Sequence, residues 1–400
     1  MEFSSRVERI GGEGAEAWAI HEQALAAQAR GEDVRVLSVG DPDLATPAPI
    51  VERAQQALAD GDTHYTPGLG EHELRCAVAR RFAAQSGQTV GAEHVGIVSG
   101  AQNGLFFTSM LLLGPGDEAL MLCPAYVTYE ATIAASGATP VIVDMPAANG
   151  FRPEPEAIEA AITPRTRALF LTTPNNPTGA VLGPDELEAI ADIARRHDLW
   201  IVSDEVYGEL VFDGRHHSIA ALPGMAERTV TVSSLSKSHA MTGWRSGWLI
   251  APPALIAHAE NLALCSLYGL PGFVQKAACT AIDRADELIA EHRDIFRQRR
   301  DHVVGRLDAI ETLRVLRPEA GMFTMIDVRG TGLSSTEFAW HLLEHQRVSV
   351  LDGAAFGRSA SGYVRLSYTL DEDRLDEACE RIAAFCRTID STAREESPHV

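Results

Sequence analysis

The chain reads as an α/β protein in which a large domain built on a mostly parallel sheet is joined to a smaller α+β domain. Two observations predict this. Between about residues 93 and 250, short apolar runs alternate with longer stretches of helical spacing, and after about residue 272 that alternation gives way to charged helices among scattered short strands. Continuous apolar runs mark strands buried on both faces, and the long spacers suit crossover helices.

The runs lie at 95–99, 118–123, 139–143, 168–172, 199–203, 229–233 and 247–250. One spacer is clear: after Gly183, the residues Leu187, Ile190 and Ala194 recur at helical spacing, with Pro184 and Asp185 suited to a first turn. Further on, the pattern predicts a long charged helix through Glu287 and Arg300 and a strand over 321–328. A helix from Ser335, short strands near Val348 and Val364 and a terminal helix from Asp371 follow. The tail 393–400 is expected to fray. Residues 46–285 are expected to form the large domain, and 1–45 with 286–400 the small one. No repeat or low-complexity segment is present.

Composition excludes several function classes. With 55 acidic against 34 basic residues and a formal net charge of -21, the chain repels nucleic-acid phosphates and anionic membranes. Its first residues lack a signal-peptide core and no stretch is apolar enough to span a bilayer, so a cytoplasmic protein is expected. The six cysteines are dispersed without a C-x-x-C pair, which implies reduced thiols, no disulfides and no structural zinc.

In a doubly wound sheet, ligands sit beyond the carboxyl ends of the strands. Polar residues follow the apolar runs there: Ser99-Gly100-Ala101-Gln102 opening a helix, Thr173-Pro174-Asn175-Asn176-Pro177-Thr178-Gly179, and Ser203-Asp204-Glu205-Val206-Tyr207. The turn over 231–248 presents Lys237 among serines, with Arg245 eight positions later. An amine so placed can form a Schiff base with an aldehyde, while hydroxyls, backbone N–H groups and Arg245 can hold a phosphate dianion. Pyridoxal phosphate asks for that combination.

Other motifs carry less. Ser234 to Lys237 fits S-x-x-K, but its K-T-G and S-D-N partners are missing. His21-Glu22 begins H-E-x-x-H, yet Leu25 occupies the second histidine position. Gly11-Gly12-Glu13-Gly14 follows no strand; His216 and His217 read as a solvated turn, and the charges over 284–300 as a solvated helix face. No metal site is expected.

Over nearly its whole length the chain resembles the fold-type I pyridoxal-phosphate enzymes, the class I/II aminotransferases in particular. The resemblance implies a catalytic set of Lys237, Asp204 and Tyr207. Lys237 would hold the cofactor and carry a proton, and Asp204 would sit at the pyridine nitrogen. Asn176 and Tyr207 would bond the phenolic oxygen, and Tyr126 would stack on the ring. Ser234, Arg245 and the start of the helix at Gly100, Ala101 and Gln102 would take the phosphate. Arg365, in Tyr363-Val364-Arg365-Leu366-Ser367, would bind the substrate α-carboxylate with Asn176 and the mobile segment at Gly40. Tyr65 would reach the phosphate of a neighbouring subunit, and Tyr268 lies in a segment also lent across the dimer, so a homodimer with shared sites is implied.

Within the family, stretches 37–43, 126–131, 236–245 and 260–265 are similar to transaminases that pass the amino group of L-arginine to pyruvate. That similarity implies ping-pong transfer between an amino acid and a 2-oxo acid, with Glu13, Glu16 and Trp18 as candidates for reading a guanidinium side chain. An aspartate-type or broad-specificity aminotransferase using 2-oxoglutarate is the alternative, with a pyridoxal-phosphate lyase behind it. A non-catalytic cofactor-bound regulator is disfavoured by the intact Lys237, Asp204 and Arg365 and by the lack of a DNA-binding domain.

Overall fold

The computed structural model describes residues 3–4, 6–10 and 18–395. In chain order the strands are β1 Arg35–Val36, β2 Val95–Val98, β3 Glu118–Cys123, β4 Thr139–Asp144, β5 Thr166–Thr172, β6 Trp200–Asp204, β7 Thr229–Ser234 and β8 Gly247–Ile250. Then come β9 Arg314–Leu316, β10 Phe323–Asp327, β11 Val348–Ser349, β12 Leu351–Asp352 and β13 Tyr363–Ser367. Seven of these form one sheet in the order β2-β8-β7-β6-β5-β3-β4. The pairings from β7 to β4 are parallel. β8 is antiparallel to both β2 and β7, so β2 runs in the same sense as β7. The carboxyl ends of β2, β5, β6 and β7 therefore open on one side of the sheet.

Apolar continuity explains the fully buried strands, since every residue of β2 and β3 is buried. β4 departs from the expectation of burial on both faces: it has β3 as its one neighbour, and Ile142 is 44% exposed. It is an edge strand. The helix Pro184–Arg196 follows the predicted spacing, burying Leu187, Ile190 and Ala194, and its start is fastened by the Gly183 N–H donating to Glu186 Oε2 at 2.7 Å.

Beyond the large sheet, β12-β13-β10-β9 form an antiparallel sheet and β1 pairs with β11 in parallel. Helices Ala285–Leu307, Ser335–Gln346 and Glu372–Glu395 accompany them. Ser334 caps the second, accepting from the Glu337 N–H at 3.2 Å while Glu337 Oε2 accepts from the Ser334 N–H at 2.9 Å. Of the tail expected to fray, 393–395 continue the terminal helix and 396–400 lie outside the described residues. Near the start of the chain, Arg9 donates to the carbonyls of Gly137 and Ala138 at 3.1 and 2.7 Å, beside β4 of the large sheet.

Residues 37–46 tie the two parts together. The Leu37 carbonyl accepts from the Ser367 N–H at 2.9 Å, Asp43 takes both Nη atoms of Arg299 at 2.6 and 3.0 Å, and Thr46 Oγ1 donates to the Ala240 carbonyl at 2.6 Å. This segment is thereby laid across the turn that carries Lys237. Among the described residues no helix is long and apolar enough to cross a membrane.

Candidate active site

A cavity of about 200 Å³ opens where the carboxyl ends of β2, β5, β6 and β7 meet residues 39–40 and strands β10 and β13. Lys237, Asp204, Tyr207, Asn176, Ser234, Arg245, Tyr126, Ala101, Gln102, Gly40 and Arg365 all line it, as does Trp18. The sequence positions that resembled a cofactor site, spread over more than half the chain, are thus gathered around one space.

Local structure explains how each is aimed. The turn after β5 is held by Asn175, whose Oδ1 accepts from the Thr178 N–H and hydroxyl at 3.2 and 2.9 Å, which leaves Asn176 free to point inward. Gly100, at φ +80°, precedes the helix Ala101–Leu112, and an added Cβ there would lie 2.9 Å from Arg245 Cζ. Only a glycine lets the guanidinium settle on this loop, where it donates to the Ser99 and Thr242 carbonyls at 3.1 and 2.8 Å. The Gln102 side chain is engaged with Thr128 and Thr132, so its backbone N–H is the group left for an anion at the helix start. At Gly40 an added Cβ would collide with the Phe323 ring.

Among the described residues, Lys237 and Arg365 in this cavity form no salt bridge. Arg299, Arg300 and Arg365 are each at most 5% exposed. The first two pair with Asp43 and with Asp213 and Asp301. Among the described residues Arg365 pairs with no acid: Nη1 donates to Asn176 Oδ1 at 3.0 Å, Nη2 donates to the Ser38 carbonyl at 2.7 Å, and Nε has no partner. Its guanidinium lies between the Phe323 and Phe356 rings, 4.2 and 4.7 Å from their centroids, and burial pulls its pKa down to about 10. A buried guanidinium with no acid beside it and free donors has the chemistry to take a carboxylate.

Lys237 Nζ donates to the Gly40 carbonyl at 2.7 Å, and burial lowers its pKa to about 8. Asp204 is buried, and desolvation raises it to about 6 against two hydrogen bonds, from Tyr129 Oη to Oδ2 at 2.6 Å and from the Val206 N–H to Oδ1 at 3.1 Å. Burial also pushes the Tyr207 phenol well up, keeping it a neutral donor. A buried carboxylate and a buried amine, neither held in a salt bridge among the described residues, and an exposed Arg245 beside a helix start together fit a ligand with a cationic ring nitrogen, an electrophilic carbon and a phosphate. Pyridoxal phosphate has all three.

The sequence reading missed Tyr129, the Ser38 carbonyl, the two phenylalanines around Arg365 and Ser236, which also lines the cavity. Tyr129 sits three residues after Tyr126, but its contact with Asp204 spans 75 residues and spacing cannot show it. His216 corrects the solvated-turn expectation: its Nε2 meets Glu205 Oε2 at 2.8 Å, in a pocket where Gly208 leaves room for the ring. Tyr65 does not line the cavity; it is 87% exposed and meets Tyr268 edge-on at 5.0 Å. Glu13 and Glu16 lie outside the described residues. No group of His, Cys, Asp and Glu suited to a metal occurs among those described.

Comparison with known proteins agrees with this chemistry. Residues 32–382 match the family model for aminotransferase class I and II. The arginine–pyruvate transaminase of Pseudomonas aeruginosa is 52% identical over 383 residues, 96% of this chain and 98% of that one. Aromatic-amino-acid aminotransferase 2 of Thermococcus litoralis is 38% identical over 88% of this chain and 91% of its own. The aspartate aminotransferase of Thermus thermophilus, solved with maleate, superimposes with a TM-score of 0.91 at 35% identity, covering 96% of this chain and 99% of that one. The cavity and these similarities converge on one conclusion: the chain belongs to the class I and II aminotransferases, and it is a transaminase that works with pyridoxal 5'-phosphate.

Proposed function

We propose that this transaminase moves the α-amino group of L-arginine to pyruvate, in a ping-pong sequence, as a cytoplasmic homodimer. The observation that carries the substrate pair is the 52% identity, over nearly the full length of both chains, to a transaminase named for arginine and pyruvate. The dimer reading is supported by Tyr65 and Tyr268, adjacent aromatic residues that stand 87% and 54% exposed and take no part in their own chain's cavity. The cytoplasmic reading is supported by cysteines dispersed along the chain without a C-x-x-C pair.

When bound, pyridoxal phosphate supplies an aldehyde that takes up the amino group and a ring that accepts the electron pair left when Cα loses its proton. The residues around it divide the remaining work. Asp204 would hold a positive ring nitrogen, Asn176 and Tyr207 would bond the phenolic oxygen, and Tyr126 would pack on the ring. Ser234, Arg245 and the amides of Ala101 and Gln102 would take the phosphate. Arg365 forks onto the substrate α-carboxylate, with Gly40 and Asn176 beside it, and so fixes which Cα bond stands across the ring. Lys237 Nζ would hold the aldehyde and, once released by the substrate amine, would take the proton from Cα. With its pKa near 8, a useful fraction of this amine is neutral at physiological pH.

Adding single amino acids to the purified holoenzyme without an oxo acid tests the substrate pair. L-arginine is expected to convert the cofactor's absorbance from the aldehyde to the amine form, and pyruvate to restore it. Conversion by aspartate or glutamate alone, reversed by 2-oxoglutarate, would replace the arginine reading with the aspartate-type one that the maleate-bound Thermus relative brings to mind.

A further inference from the structure

A carboxylate sealed from water accepts a proton unless donors hold its charge. Asp204 is 5% exposed, and the donor aimed at its Oδ2 is the Tyr129 hydroxyl at 2.6 Å, the length expected of an O–H bond to an ionised oxygen. Tyr129 is itself 2% exposed, and its Oη lies 2.7 Å from Thr172 Oγ1. A phenol has one proton to give. An ionised Asp204 can only accept, so that proton points to Oδ2 and the Thr172 hydroxyl donates in turn to Tyr129. Thr172 closes β5 and Asp204 closes β6, and the two are register partners. The chain Thr172 to Tyr129 to Asp204 therefore has a fixed direction, set by the sheet itself.

We propose that Tyr129 is the positioning residue for Asp204: its hydroxyl, oriented by Thr172, holds the carboxylate ionised and turned so that it can pair with a positive ring nitrogen. This rests on the role given to Asp204 above. The other charges that bear on Asp204 are Glu205, next in the chain, and Lys237 across the cavity. Neither is altered by a change at Tyr129. The alternative is that Tyr129 only fills space, its ring meeting Tyr126 and Phe170 edge-on at 6.2 and 6.4 Å. Phenylalanine keeps that ring and removes the donor.

The test is equilibrium binding of pyridoxal phosphate to the apoenzyme of wild type, Tyr129→Phe, Asp204→Asn and the double variant, repeated across pH. One hydrogen bond to a charged group corresponds to a weakening of about 10-fold in Tyr129→Phe. In the Asp204→Asn background, where no carboxylate remains to be held, the same change is expected to cost less than about 2-fold. The pH below which affinity falls should also move upward in Tyr129→Phe, because a carboxyl deprived of its donor takes up a proton at higher pH. Thr172→Val should shift both readouts in the same direction by less, and it serves if Tyr129→Phe folds poorly. An equal loss in both backgrounds, or an unmoved pH profile, would show that the hydroxyl merely packs and would overturn the proposal. If Asp204→Asn bound pyridoxal phosphate as wild type does, the role of Asp204 would fall, and this one with it.

Discussion

Replacing Arg365 by methionine separates its binding role from any structural one. The guanidinium is held between Phe323 and Phe356 with no acid beside it, and keeping it charged at a pKa of about 10 rather than 12.5 costs about 3 kcal/mol. Methionine removes that cost and keeps most of the packing. It also strands Asn176 Oδ1 and the Ser38 carbonyl, at about 1–3 kcal/mol each. The two terms largely offset, so the stability of the ligand-free variant should lie between about 1 kcal/mol above and about 3 kcal/mol below wild type. Activity should not. A forked bond to the substrate carboxylate comprises two charge-assisted hydrogen bonds of about 1.5–3 kcal/mol each, so kcat/KM should fall about 10²- to 10⁴-fold, for the amino donor and the oxo-acid acceptor alike. Steady-state kinetics of both half-reactions and a thermal melt with and without propionate provide the assay. Propionate carries the carboxylate without an amino group and should raise the melting temperature of wild type only. A variant that unfolds as badly as it loses turnover, or that loses one half-reaction alone, would refute the carboxylate assignment.

Lys237→Ala should lower kcat by at least about 10³-fold, because proton transfer at Cα loses its base; single-turnover absorbance measures this. Since burial brings Lys237 to about 8, capture of pyridoxal phosphate by the wild-type apoenzyme should speed up as pH rises towards 8 and level off above it, as seen by stopped-flow absorbance. Asp204, raised from 3.8 to about 6 by burial, binds a proton more tightly folded than unfolded. The apoenzyme therefore loses stability as pH rises through that interval, by up to about 3 kcal/mol above it. Asp204→Asn should remove this loss, so denaturant melts of the two apoenzymes should diverge between about pH 4 and 6 and run parallel above. Gly100→Ala puts a methyl 2.9 Å from Arg245 Cζ at a φ of +80°, and should weaken pyridoxal phosphate binding by about 10-fold or more, measured by equilibrium dialysis.

The sheet was legible because strands buried on both faces write their burial as unbroken apolar runs: 118–123 and 247–250 are the observed strands residue for residue. What a run cannot carry is its place across the sheet. The run at 139–143 looks like its neighbours, yet β4 ends the order and half exposes its face. The candidate site was legible where one loop supplies a residue at a fixed offset from a strand end, as with Asn176, Asp204, Ser234 and Lys237. It was hidden where the partner comes from elsewhere. Arg365 meets the Ser38 carbonyl 327 residues away, and the ring sandwich around it joins β10 to the turn before β13. His216 was misread for the same reason, since a histidine beside Asp213-Gly214 looks like a turn until Glu205 is found under it.

The way charge is distributed accounts for the order of the reaction as well as its specificity. The other two buried arginines are matched with acids, Arg299 with Asp43 and Arg300 with Asp213 and Asp301. In the cavity Lys237 and Arg365 lack such partners, and each carries a desolvation cost that an incoming ligand relieves. The fold thus holds these groups in a state that binding improves, which is how pre-organised sites convert folding energy into affinity. Arg365 supplies one set of free donors between two rings, and it can accept one α-carboxylate at a time. On the proposed reading, donor and acceptor use the same guanidinium in turn, the oxo acid formed first leaving before the second oxo acid arrives. The ping-pong order proposed above accords with that single arginine, and Trp18 lines the same cavity.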